Sequence, residues 1–279
     1  MQTPQPRGTS IDRDAAVDNI LSSGTDTPRT SESSAEEAEA RVELAAAYRL
    51  FDWLGITDII HTHISMRVPG RHDQFLLLPY GILFGEACAS HMVKCDVDGR
   101  IISDPTGLGI SVGGFCIHSA IHTGRDDAVC VMHAHTEATI AVANLKAGLL
   151  PLSQHALRFY DRIAYLDYCG MFNSSEKRAQ LPSTLGKAQV LMLRNHGPLV
   201  IASTPWECFS RMYYLERACR MQVAMLSTVR DPQAELCWPD PASCEAMAKA
   251  FEDPEQRVVK REWTALRRML DKQDGSYRH

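Results

Sequence analysis

The chain has 279 residues, 45% of them hydrophobic, with a formal net charge of −5 and a pI near 6.1. That balance points away from nucleic acid or an anionic membrane as the main partner, and no run of about 18 apolar residues exists to span a bilayer. Nine cysteines with no CxxC pair suggest free thiols in a reducing compartment rather than a disulfide framework. The opening MQTPQPRGTSIDRD lacks the apolar stretch of a signal peptide, so the cytoplasm is the expected location.

Residues 1–33 are rich in Ser, Thr, Pro and Asp and poor in large apolar groups. They cannot bury enough surface to offset ordering entropy, which predicts a disordered lead-in. Ser34 with Glu37 has the spacing of a capping box before the helical run ending at Gly55. DIIHTHISMRV (58–68) alternates as a strand does, QFLLLP (74–79) reads as a second, and 92–103 reads as a hairpin about Asp98-Gly99. From about 113 the rhythm becomes helix, strand, helix. GFCIHSAIHTG is a short helix, and AVCVMHAH (128–135) is a buried strand. Thr136 is the expected N-cap of the next helix. RIAYLDY reads as a strand, and SSEKRAQLPSTLG as a helix interrupted by Pro182. QVLMLRNHGPLVIA gives two strands joined at Asn195-His196-Gly197. Thr204-Pro205 opens a long amphipathic helix. Residues 231–244 form a Pro-rich connector, and 245–272 a charged terminal helix. Strands in the middle with helices around them predict one α/β or α+β domain over 34–230, followed by the connector and C-terminal helix of 231–279.

Side chains two apart on a strand share a face, so His133 and His135 point the same way where the chain leaves the sheet. Neutral imidazole pairs of this kind suit zinc, iron and related ions. His196, in an RNHG segment that also ends an apolar strand, would complete a facial set with open positions if the two strand ends converge, which spacing alone does not establish. An HxH alone is a weak signal, and surface or hydrogen-bonded core histidines are its commoner explanation.

The segments HTHISMRVPG, PYGILF, GFCIHSAIHTGRDDAVCVMHAH and VLMLRNHGPLVIA resemble the class II aldolase/adducin family over about residues 40–230. The resemblance implies a single α/β domain with a central β-sheet flanked by helices. It implies one divalent metal per subunit, zinc or Fe(II), on His133, His135 and His196, and a homotetramer with sites at subunit contacts. It also exposes departures. The glutamate that serves sugar-phosphate aldolases as ligand or base falls on Gly114, their Gly-Asn phosphate pair on Thr62-His63, and their serine pair on Val112-Gly113. A sugar-phosphate substrate is therefore not expected.

Without that base, a metal with open positions can still stabilise the enolate released by decarboxylation or retro-aldol cleavage. The expected function is thus metal-dependent carbon–carbon cleavage of an anionic 2-oxo or 2-hydroxy acid. An alternative is a non-haem Fe(II) oxygenase that oxidatively decarboxylates an aryl-pyruvate or aryl-hydroxyacetate, as family members do in antibiotic biosynthesis. A further alternative is a non-catalytic, adducin-like interaction module. The chain lacks the adducins' lysine-rich tail, however, which favours the enzyme. His63, Tyr80 and His118 are candidate catalytic residues. His63 is a substrate contact or replacement acid/base, Tyr80 a donor to an oxyanion, and His118 a neighbour of the metal. Arg67, a bidentate partner for a carboxylate, and Gly114 are candidate substrate-binding positions. Glu137 reads as a solvated first-turn glutamate that favours the helix N-terminus, with a ligand role as the rarer option.

Overall fold

The computed structural model describes residues 34–252 and 257–279, so the expected lead-in of 1–33 lies outside the described residues. Helix α1 (Ala35–Leu54) begins at Ser34, whose side chain accepts the Glu37 N–H, and ends at Gly55. The Glu37 carboxylate goes to Arg41 and Lys94, at 2.8 and 3.0 Å, forming a buried ion triad. The sheet strands then follow in order. They are β1 (His63–Arg67), β2 (Gln74–Leu77), β3 (Val93–Asp96) and β4 (Ile101–Ser103), the last two forming the expected hairpin. Helix α2 (Val112–Gly124), β5 (Cys130–His133), α3 (Glu137–Asn144), α4 (Gln154–Leu157) and β6 (Ile163–Leu166) come next. After them run α5 (Ser175–Leu185), β7 (Val190–Leu193), β8 (Gly197–Ala202) and the long α6 (Pro205–Leu226).

One eight-stranded sheet has the order β4-β3-β2-β1-β5-β8-β7-β6, antiparallel except for the β6–β7 pair. Alternate residues of each strand feed two cores. Met132, Val190 and Val200 pack with Tyr48, Phe51 and Phe209 on one face. Val131, Leu191 and Ile201 pack with Phe75, Phe115 and Ile121 on the other. Burial on both faces explains why these strands read as continuous apolar runs. The result is a mixed α/β domain with helices on both sides of the sheet.

Three segments differ from expectation. The first strand begins at His63, not at residue 58, because Asp58–Thr62 turn and Ile59 takes a positive φ of 53°. Helix α5 runs through Pro182, which lies in its last turn, where the Gly186 N–H still reaches the Pro182 carbonyl at 3.1 Å. The Pro-rich stretch is not a plain connector. Asp231 and Asp240 cap α7 (Pro232–Glu235) and α8 (Pro241–Phe251), each with proline at the first helical position, where its missing N–H costs nothing. The expected terminal helix is thus shared between α8 and α9 (Arg257–Asp274). Trp263, Leu270 and Tyr277 join the first core. No helix among the described residues is long and apolar enough to cross a membrane, and none of the nine cysteines forms a disulfide.

Candidate metal centre

His133 ends β5, flanked by β1 on one side and β8 on the other, with His63 opposite it in the ladder to β1 and Leu199 opposite it in the ladder to β8. His135 follows two residues later, outside the strand. His196 sits in the β7–β8 turn, and two features bring that turn in. Gly197 has φ 148°, and a Cβ there would lie 2.1 Å from the Ala134 carbonyl oxygen, an approach only glycine permits. Arg194 then ties the turn to the end of α3 by donating to the carbonyls of Ala143 and Leu145. The nitrogen donors of the three histidines lie within 4.8 Å of one another.

The hydrogen bonds fix which nitrogens are available. His133 Nδ1–H donates to the Pro198 carbonyl at 2.9 Å, and His135 Nδ1–H donates to Asp58 Oδ2 at 2.9 Å. Each neutral ring therefore presents an Nε2 lone pair. These lone pairs face one another, with His133 Nε2 2.9 Å from His135 Nε2 and 3.3 Å from His196 Nε2. Lone pairs so placed repel unless a cation lies between them. Tetrahedral zinc with Zn–N bonds of about 2.05 Å would hold its nitrogens about 3.3 Å apart, so the residues fit a metal. Burial pushes the His133 pKa well below the ordinary imidazole value and lowers that of His196 to about 4. Both rings are thus neutral, as ligation requires. Thr136 caps α3 directly after His135, and its hydroxyl bonds to Glu216, itself paired with Arg220, which anchors the turn that carries His135.

His63 stacks on His133 with ring centroids 5.7 Å apart and planes 13° from parallel. Its other face meets Gly114 in the first turn of α2, where a Cβ would lie 2.5 Å from His63 Cδ2. His118 stands edge-on to His63 at 5.6 Å and belongs to a hydrogen-bonded chain of fixed direction. His122 Nδ1–H donates to the Ala128 carbonyl, so His122 Nε2 accepts the Ser65 hydroxyl at 2.8 Å. Ser65 Oγ then accepts Nδ1–H from His118 at 2.6 Å. What remains is a buried lone pair on His118 Nε2 without a partner.

Tyr80 is more peripheral. It is exposed, its hydroxyl lies 3.5 Å from His61 Nδ1, and it lines a crevice with Thr62, His63 and Ser111. Arg67 is placed otherwise than expected. It is buried at the far end of β1, and its guanidinium donates to the carbonyls of His72, His122 and Arg125. That clamp leaves it turned to the backbone rather than to a substrate carboxylate. Glu137 is exposed in the first turn of α3, as a helix-stabilising charge would be. Asp58 and Ser65 enter the site without a sequence motif. A carboxylate in a loop and a serine in a strand have no spacing that marks them.

Residues 42–223 match the family described as Class II Aldolase and Adducin N-terminal domain. The chain belongs to this family. It is 49% identical over 195 residues to a Caulobacter vibrioides protein named for class 2 aldolases, covering 70% of this chain and 76% of that one. It is 37% identical over 242 residues to mouse alpha-adducin, covering 83% of this chain but 33% of the adducin, so it spans about a third of that relative. Among solved structures, an aldolase II superfamily protein from Pseudomonas syringae superposes with a TM-score of 0.84 at 42% identity, covering 90% of this chain and 98% of that one. An L-fuculose 1-phosphate aldolase from Glaciozyma antarctica shares the fold, with a TM-score of 0.77 at 22% identity over 90% of this chain and 96% of that one. Class II aldolases use a divalent metal, and the three converging histidines are the group that would hold it here.

Proposed function

We propose that this chain is a metal-dependent enzyme that cleaves a carbon–carbon bond of an anionic 2-oxo or 2-hydroxy acid. The observation that carries this reading is the convergence of three imidazole Nε2 atoms, two of them on rings held by acceptors at Nδ1, in a donor set of nitrogens alone. Three neutral ligands leave the charge of a divalent ion undiminished, which suits a chelating carboxylate better than a neutral sugar. The bound ion would supply Lewis-acid stabilisation of the enolate. Around it, His133, His135 and His196 hold position, and Asp58 orients His135. His63 covers the face where the aldolase glutamate would stand. Its imidazole, fixed between His133 and Gly114, is the group placed to hold or move a proton beside the substrate, with His118 behind it. Assembly as a homotetramer is part of the same reading, and sedimentation reads it directly.

The test is metal content after anaerobic purification, followed by assay of 2-oxo and aryl-2-hydroxy acids with and without oxygen. Release of carbon dioxide or aldehyde without oxygen supports the lyase. Oxygen-dependent turnover with iron replaces it by the oxygenase. Protein that arrives empty and refuses both zinc and iron overturns both enzymatic readings and leaves an adducin-like module.

A further inference from the structure

A second cleft of about 400 Å³ opens at the other end of the sheet. Strand β8 carries His196 before its first residue and Ser203 after its last, so at about 3.3 Å per residue the cleft is about 20 Å from the histidines. Its walls include Arg158 and Phe159 after α4, Lys187 before β7, and Glu207, Ser210 and Arg211 from the first turns of α6.

The charges there do not balance. Arg162, at one edge, is neutralised by Glu245 and Glu252, both at 2.8 Å. Arg158 instead lies between two aromatic rings, 3.6 Å from the centroid of Tyr214 and 3.9 Å from that of Phe251. Arg211 spends one N–H on the Ile201 carbonyl at 2.9 Å. Neither Arg158 nor Arg211 forms an ion pair among the described residues, and Lys187 is exposed at the rim. Glu207, a carboxylate of the cleft wall, accepts a hydrogen bond from Ser203 at 2.6 Å. Burial lowers the pKa of both guanidiniums, against the pull of Glu262 near Arg158 and of Glu207 and Asp127 near Arg211, none of which forms an ion pair with either. Burying a charge without a directly paired anion is costly. Guanidiniums with free N–H edges match the paired oxygens of phosphate or carboxylate groups, and a cavity of this volume is in the range of small-ligand sites.

We infer that this cleft binds a small dianionic ligand, a phosphate ester or dicarboxylate, through Arg158, Arg211 and Lys187, with Phe159 against its apolar part. The site is independent of what the histidines do.

Phenyl phosphate is a suitable probe, titrated at low salt into the zinc-loaded full-length chain by calorimetry and thermal unfolding. The expected result is saturable binding of one molecule per chain, a rise in Tm of about 3 °C near saturation, and loss of affinity as sodium chloride is raised. Arg158→Gln and Arg211→Gln should each weaken binding about tenfold or more, at unchanged zinc content. If either variant fails to fold, the exposed Lys187→Gln carries the test, with about threefold weakening expected, the scale of a single partly screened charge. Absence of saturable binding overturns the inference, as does binding equal to the parent in all the variants that fold. Binding abolished by His135→Ala assigns the anion to the metal centre and overturns it too. A changed sedimentation state in the arginine variants, with no binding by the parent, shows that the cations serve a contact between copies instead.

Discussion

The imidazole of His63 lies so close over Gly114 that a Cβ on residue 114 would stand 2.5 Å from His63 Cδ2 and 2.7 Å from its Nε2. Two of the three departures that the resemblance implies, at 114 and at 62–63, would therefore meet in space. A side chain at 114 and an imidazole at 63 compete for the same volume, and here the imidazole occupies it.

That link predicts strong coupling between the two positions. Gly114→Ala alone should destabilise the fold by about 1–3 kcal/mol, the usual cost of overpacking a filled site. His63→Ala alone removes a half-buried ring. The double variant should be more stable than the sum of the two, with an interaction energy of at least about 1 kcal/mol. Urea unfolding of the four proteins measures it. Additive effects would show that the ring simply swings aside and that the packing carries no constraint.

Much of this arrangement is legible from sequence where the signal is local. His133 and His135 stand out because strand periodicity puts them on one side. His196 stands out because RNHG interrupts an apolar run and reads as the turn joining two strands. The first strand is overcalled because DIIHT continues the alternation of HISMR, yet Ile59 adopts a positive φ, which propensity does not reveal. Arg67 reads as a ligand for a carboxylate because sequence shows its charge but not the carbonyls of His72, His122 and Arg125 that surround it. Asp58 is invisible for the opposite reason. Its role exists only once the 56–62 loop folds back over His135, 77 residues further along the chain.

Asp58 gives the second prediction. Its carboxylate holds the Nδ1–H of His135 at 2.9 Å, fixing the tautomer and the direction of the Nε2 lone pair. A carboxylate in this position also raises the basicity of the ligand. Removing such a partner commonly costs 10- to 100-fold in metal affinity. Asp58→Ala should fall in that range in a competition titration against a chromophoric chelator. Asp58→Asn, which retains an acceptor oxygen, should lose less. Affinity unchanged in Asp58→Ala would mean that His135 is oriented by its own backbone and that the carboxylate is incidental.

The third prediction concerns acid. His118 and His122 are almost fully buried, and burial lowers both pKa values from 6.5 to about 3. In the folded chain burial keeps both rings neutral, helped by the His122 ring near His118 and by the Arg67 charge near His122, and no carboxylate is bonded to either ring. In the unfolded chain the same rings take up protons near pH 6.5. The unfolded state therefore binds more protons between pH 6.5 and about 3. The stability contributed by these histidines is complete above pH 6.5, declines as pH falls through that window, and levels off near pH 3. Each group adds a slope of up to about 1.4 kcal/mol per pH unit. Metal-free protein isolates the effect from proton competition at the ligands. Denaturant unfolding from pH 7.5 to 4.5 should show the decline, and His122→Gln, which removes one titrating ring, should show a flatter slope whatever its stability at pH 7.5. Parallel slopes for parent and variant would mean that His122 titrates alike in the folded and unfolded chain, and that Ser65 bridges rings which are free to take a proton.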